Sequence, residues 1–198
     1  MGKKIILFLM IFQSLVIQAQ DFSISERKGT LKATGSFYPS RRLDSKVVNY
    51  YVGGNAEYFF HNNYSFRGDI YGLVGQKSPL SNSSLKTSFI LNYGFNKHFV
   101  KNRFNSFVGI YTGMTCFKKN EMDLQTFVAV PSDVQYVPNV GLTIGTQFYL
   151  YDYFHFFAET RYIHHRSPYS NGNIDEISFS AGLGFQLPVK KLLGKKGI

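Results

Sequence analysis

Segments in which apolar and polar residues alternate recur along most of this chain, and they constrain its fold more than any other feature. In the last such segment Ile177, Phe179, Ala181 and Leu183 take every second position, with small or polar residues between them. A period of two places each set on one face of a β-strand. Eight segments show this pattern, at residues 30–39, 47–60, 65–76, 86–99, 105–117, 137–150, 154–166 and 176–189.

The polar faces of these segments distinguish two kinds of β-protein. A soluble sheet carries solvated Lys and Glu on its polar face, whereas here that face consists mostly of Gly, Ser, Thr, Asn and Gln. The charges that do occur on it balance in sign, and they are Lys32, Glu57, Arg67, Asp69, Glu159 and Arg161. Because unpaired buried charges are very unfavourable, we expect these six residues to form a paired network inside a barrel. An apolar exterior around a polar interior is typical of an outer-membrane β-barrel.

The links between segments support the same architecture. Short links at residues 61–64, 100–104 and 151–153 alternate with longer links at 77–85, 118–136 and 167–175, and the first link, 40–46, is intermediate. Short periplasmic turns and long outer loops are characteristic of transmembrane barrels. The sequence therefore predicts an all-β fold, an eight-stranded antiparallel up-and-down transmembrane β-barrel. Its outward face is predicted to include Leu91, Tyr93, Leu142, Ile144, Phe179 and Leu183.

Aromatic residues cluster near the predicted strand ends. Tyrosine and phenylalanine rings favour the head-group level of a bilayer, where an apolar body and a polar tip are both accommodated. We therefore interpret the following residues as aromatic girdles: Tyr50, Tyr58, Phe60, Tyr64, Phe66, Phe99, Phe104, Tyr151, Tyr153 and Phe154.

The N-terminus has the pattern of a secretory signal peptide. Lys3 and Lys4 precede an apolar stretch, and Ala19 offers a small residue for cleavage. An uncleaved anchor helix is the alternative, although the stretch is short for a membrane span. The predicted organisation is a signal peptide at 1–19, a lead-in at 20–29, an outer-membrane barrel at 30–189 and a basic tail at 190–198.

The predicted export of this protein changes which binding partners its net positive charge indicates. The 198 residues include 22 Lys and Arg against 12 Asp and Glu, a net charge of +10. In an exported protein this excess does not indicate nucleic acid, and it favours anionic lipid head groups, lipopolysaccharide phosphates and acidic glycans. The single cysteine, Cys116, has no partner within the chain for a disulfide.

Two stretches carry a family resemblance. The hairpin GGNAEYFFHNNYSFRGDIYGLVG at 53–75 and the closing strand ISFSAGLGFQLPV at 177–189 make the chain similar to the small eight-stranded outer-membrane barrels, the porin-like family that includes the OmpA membrane domain and OmpX. The resemblance implies a non-enzymatic integral protein of a Gram-negative outer membrane, with roles in envelope structure or in surface binding through the outer loops. It also implies a monomer that contacts outer-membrane lipid, lipopolysaccharide and the barrel-assembly machinery. Unlike members that end on a terminal aromatic residue, this chain continues as KKLLGKKGI.

A second resemblance gives the alternative function. The run that includes His165, Ser167 and Glu176 is similar to the His-x-Ser motif of the lipid A 3-O-deacylases, which are also outer-membrane barrels. That resemblance implies His165 as base, Ser167 as nucleophile and Glu176 as the group that orients the imidazole. Pro168 departs from the motif and removes an amide donor that could serve an oxyanion. We therefore expect no catalytic triad here.

No metal or cofactor site is expected. His164 and His165 are adjacent, so they point to opposite faces of a strand, and His155 lies ten residues before His165, too far for joint ligation. The glycines lie within strands rather than in a nucleotide-binding turn. An eight-stranded barrel is just wide enough for side chains, so we expect no diffusion pore.

Overall fold

The structure, a computed structural model, describes residues 27–44, 47–77, 85–122, 129–131, 133–150, 153–166 and 172–189. The predicted signal peptide, most of the lead-in, the whole basic tail, the girdle residue Tyr151 and Ser167 lie outside these residues. Among the described residues, no helix has the length and apolar character needed to cross a bilayer.

The described residues form nine strands, and eight of these strands match the segments predicted from alternation. They are β1 Thr30–Arg42, β2 Val48–His61, β3 Tyr64–Lys77, β4 Leu85–Lys101, β5 Phe104–Met122, β6 Ala129–Pro131, β7 Gln135–Tyr149, β8 Phe154–Arg166 and β9 Asn173–Pro188. The ninth, β6, is a three-residue strand within the longest predicted loop, where it pairs with the last residues of β5. Most of the other differences are extensions of strands by a few residues at the ends that carry the long loops.

Antiparallel pairing closes the sheet into a barrel. The strands follow the order β4-β3-β2-β1-β9-β8-β7-β5, and β4 also pairs with β5. The first and last strands are neighbours, with Ala33 opposite Phe185 and Ser40 opposite Ser178. Because every β-strand of the ring is hydrogen-bonded on both sides, no edge is left unpaired. The prediction of an eight-stranded antiparallel barrel is confirmed, and β6 lies outside the ring.

The two ends of the barrel differ. At the end that we call inner, β2–β3 and β4–β5 are joined by two-residue turns, and β1 begins there and β9 ends there. Asn102 in one of these turns has a positive φ of 54°, a conformation that asparagine tolerates better than most residues. The long links all lie at the opposite, outer end. The predicted asymmetry of loop lengths is therefore present in the folded chain.

The outer surface of the barrel is apolar. The six residues predicted to face lipid are exposed by between 47 and 61% of their area, with Leu91 at the lower and Ile144 at the upper limit. Most of the predicted girdle residues that the structure describes are exposed as well, including Phe99, Phe104 and Phe154. Polar and charged side chains are buried on the other face of the same strands. This arrangement is the reverse of that in a soluble protein.

Candidate functional site

Four charged side chains meet in the middle of the barrel. Arg67 on β3 binds Glu159 on β8 through two parallel hydrogen bonds of 2.6 and 2.8 Å. Arg67 also contacts Asp69 through its Nε at 2.9 Å, and Arg161 donates to the same Asp69 oxygen at 2.8 Å. Paired bonds of this type are strong and fix the geometry of both groups. β3 and β8 are not neighbours in the sheet, so this cluster bridges the interior of the barrel.

A second cluster lies nearer the inner end, and Glu57 is at its centre. Lys32, its partner across the β1–β2 pair, forms an ion pair with it. Ser65 donates to Glu57 at 2.5 Å, and the Nε2 of His98 lies 3.0 Å from the same carboxylate. The Lys32 ammonium also donates to Gln147 at 2.8 Å. All of these side chains are buried, so each polar atom depends on the others for its hydrogen bonds.

Arg27 closes the inner end, although the sequence analysis assigned it only to the lead-in. Its guanidinium lies 4.0 Å from the centre of the Phe59 ring and donates to Asn105 and Tyr149. Its backbone N–H donates to the Asn62 side chain at 3.1 Å. The only available signal was a basic residue just before the first strand, which does not show that the chain folds back into the barrel.

A layer of tyrosine and isoleucine side chains, which we call the tyrosine layer, fills the outer half of the interior. It consists of Tyr38, Tyr51, Tyr71, Tyr111, Ile90 and Ile163. The rings of Tyr38 and Tyr71 stack at 4.6 Å, and the Arg161 guanidinium lies 4.8 Å from the Tyr111 ring. Tyrosine was expected mainly in the girdles, and this interior layer was not predicted from the sequence. Strand parity could have revealed it, since Tyr71 lies two residues after the inward-facing Asp69.

Glu176 and His165, the described residues of the alternative hydrolase hypothesis, each have other hydrogen-bond partners. Glu176 is buried and accepts hydrogen bonds from Ser40 at 2.7 Å and from Asn49 at 3.4 Å. His165 faces the interior, where its ring packs at 5.2 Å from that of Phe117. Ser167 lies outside the described residues, so the expectation that these residues form no triad stays a prediction.

A polar cluster on the outward face was also missed. His164 Nδ1 lies 2.8 Å from Asp175 Oδ1, and the Tyr162 hydroxyl donates to the same oxygen at 2.5 Å. His164 and Asp175 are direct partners across the β8–β9 pair. Within the described part of the chain, no group of His, Cys, Asp and Glu residues has the arrangement of a metal site.

The charges of the interior balance once these additions are counted. The six residues of the predicted network are all buried, and Arg27 and Glu176 join them, which makes four cations and four anions. Lys32, Arg67 and Arg161 each contact at least one carboxylate. The Arg67–Glu159 and Arg161–Asp69 pairs join β3 to β8, which lie on opposite walls of the barrel.

Solved structures share this architecture. Neisserial surface protein A matches with a TM-score of 0.60 at 12% identity, over 79% of this chain and 95% of its own. The outer membrane protein OprG of Pseudomonas aeruginosa matches with a TM-score of 0.55 at 11% identity, over 82% and 97%. The chain has the fold of an eight-stranded outer-membrane β-barrel. The likeness extends to Ail, the attachment invasion locus protein of Yersinia pestis, with a TM-score of 0.51 at 11% identity, over 81% and 99%.

These likenesses concern the fold of the barrel. No protein-family model matches the chain, and no curated protein matches it either. The apolar outer surface around a polar interior is the arrangement of a barrel that crosses a lipid bilayer.

Proposed function

We propose that this barrel is a closed, non-enzymatic protein that contributes to envelope structure and binds surface molecules through its outer loops. The observation that carries the proposal is the filled interior. From the inner to the outer end, the barrel contains the Arg27 and Glu57 clusters, the Arg67–Glu159 cluster and the tyrosine layer. Because an eight-stranded barrel has room only for side chains, this filling leaves the loops as the functional surface.

The charge of the outer rim suggests the kind of molecule that would bind. Arg41 and Arg166 are exposed there, and Lys118 is half-buried at the same end. Arg42 is paired with Asp44 at 2.6 Å. A basic rim attracts polyanions such as acidic glycans and the phosphates of lipopolysaccharide. We expect a monomer, inserted by the barrel-assembly machinery.

Conductance measurements test the closed interior. The purified full-length chain in planar bilayers should give no sustained ohmic current. A variant in which Arg161 and Tyr111 are both replaced by alanine lacks two large interior side chains. Its current is compared with that of the unmodified chain. A steady current from the unmodified chain would contradict the proposal.

Binding of labelled heparin to intact cells tests the surface role. Ail has been solved in complex with the heparin analogue sucrose octasulfate, which makes a sulfated glycan a reasonable probe. Cells that express the chain should bind more heparin than cells without it, and Arg41→Gln with Arg166→Gln should reduce the difference. Lys101→Gln is the matched control, because Lys101 is exposed at the inner end. Equal binding by all strains would contradict this part of the proposal.

Mass spectrometry of lipid A distinguishes the hydrolase alternative. We expect the same lipid A in cells with and without the gene, and no effect of His165→Ala. The hydrolase would be the better assignment if lipid A lost an acyl chain in cells with the gene and kept that chain in cells with the His165→Ala variant.

A further inference from the structure

A long apolar groove runs along the lipid-facing surface over β4, β5, β7 and β8. Its two contiguous parts have volumes of about 590 and 520 Å³ and share Phe95, Ile110, Leu142 and Tyr162. These four residues are successive cross-strand partners, so they form one row across the groove. Aromatic rings stand at both ends of the row and branched aliphatic side chains lie between them. The barrel surface is therefore a trough with two aromatic walls.

The trough continues in both directions along the barrel. Toward the outer end the next row begins at Tyr93 and ends at His164, and toward the inner end the next row begins at Lys97 and ends at Thr160. The floor of this inner row consists of Val108 and Ile144. The mostly aliphatic floor matches the chemistry of an extended hydrocarbon chain, which is the molecule that surrounds this surface in a bilayer.

The two ends of the trough differ in charge, and this difference orients the occupant. Lys97 lies at the inner end, is exposed, and has the uncharged residues Tyr64 and Val108 as its cross-strand partners. The outer end is bordered by His164 and Tyr162, which both bind the Asp175 carboxylate. A phosphate is attracted by the ammonium and repelled by the carboxylate. Lys97 lies four residues before the inner end of β4. A lysine in such a position can also extend its ammonium group to the membrane interface.

We propose that the trough binds an acyl chain of a periplasmic-leaflet phospholipid whose anionic head group is held by Lys97 and the Tyr64 hydroxyl. The proposal is independent of the surface role above, because it concerns the opposite leaflet and a different part of the barrel. One basic residue near a membrane surface favours an anionic lipid by about fivefold. The expected effect is therefore a selectivity for anionic over zwitterionic phospholipid at this face of the barrel.

The absence of tryptophan from the sequence makes a direct test possible. Phe95→Trp places one fluorophore on the wall of the trough. Phe37→Trp is the matched control, because Phe37 is outward on β1, across the barrel, and exposed to a similar extent. Each variant is reconstituted in phosphatidylcholine with increasing brominated phosphatidylglycerol, whose acyl chains quench the fluorescence on contact. The same titration with brominated phosphatidylcholine corrects for ordinary lipid contact.

Phe95→Trp should show about a fivefold preference for the anionic lipid, and Phe37→Trp should show almost none. Adding Lys97→Gln to Phe95→Trp should abolish the preference, whereas Lys97→Arg should keep it. Heat-modifiable migration on gels confirms that each variant is folded. Equal quenching at both positions would show that the trough is ordinary membrane surface. A preference that survives Lys97→Gln would place the head group elsewhere, for example at the outer end as with lipopolysaccharide, and would overturn the proposal.

Discussion

The two faces of β8 show how differently the interior and the exterior of this barrel are built. Glu159 and Arg161 point inward and bind Arg67 and Asp69, which are 92 residues away in sequence. Thr160, between them, points outward to lipid, and its neighbours there lie on adjacent strands. An inward residue therefore depends on particular distant partners, whereas an outward residue needs only to suit the bilayer. Substitutions on the two faces should fail for different reasons.

The largest effect is expected for a charge deleted from the interior. Arg161→Ala leaves the Asp69 carboxylate with one cation in place of two, and it should lower the free energy of unfolding by about 3–5 kcal/mol. Urea titration of the barrel in lipid vesicles measures this change. Thr160→Ala is the matched control on the outward face and should leave the unfolding midpoint close to that of the unmodified chain. Equal stability of Arg161→Ala and the unmodified chain would contradict the paired network.

A charge introduced on the outward face should have the next largest effect. Ile144→Lys places an ammonium on the lipid side of β7 and should destabilise the barrel by about 2–4 kcal/mol if it lies near the bilayer midplane. The same urea titration applies, with Ile144→Leu as the apolar control. If Ile144→Lys were as stable as Ile144→Leu, this position would not face the hydrocarbon core.

A methyl group tests how tightly the interior is packed. A Cβ at Gly141 would lie 2.5 Å from the Tyr111 hydroxyl and 2.3 Å from the backbone oxygen of Tyr162, whereas a Cβ at Gly72 would meet nothing within 4 Å. Gly141→Ala should therefore cost about 1–3 kcal/mol through overpacking. Gly72→Ala should be close to neutral in the same measurement, and equal effects of the two changes would indicate a looser interior.

The smallest effect is expected at the inner mouth. Arg27→Met removes the guanidinium from the Phe59 ring and should reduce the stability by about 1 kcal/mol. Lys28→Met, at an exposed neighbour, is the control and should have no measurable effect. A loss as large as that of Arg161→Ala would mean that Arg27 belongs to the charge network rather than to its edge.

Local pattern accounts for the strands and their two faces. The alternation predicted all eight barrel strands. The six charged residues of the polar face are buried in two separate clusters. Lys32 and Glu57 are direct partners on β1 and β2, so pairing of these two consecutive strands already brings them close. The contact of Arg67 with Glu159 needs the closed barrel, because β3 and β8 meet only across the interior.

The interior contacts that were not predicted depend on which side chains lie at the same height inside the barrel. The tyrosine layer was missed because tyrosine also suits the membrane interface, and residue type alone does not distinguish the two environments. Arg27 was missed because it precedes the first alternating segment. His164 and His165 are adjacent in sequence, yet one contacts Asp175 on the outside and the other packs against Phe117 inside.

The sequence by itself determined the class of this protein, since a period of two, a polar face without solvated charges and uneven link lengths leave few alternatives to a transmembrane barrel. The tertiary structure decided the partners. Parity within a strand indicates which face a residue occupies, and it carries no information about the strand that lies opposite. Closure of β1 onto β9 sets the register of the ring. That register brings Arg67 to Glu159, Ser40 to Glu176, and Lys97 to one end of an apolar trough.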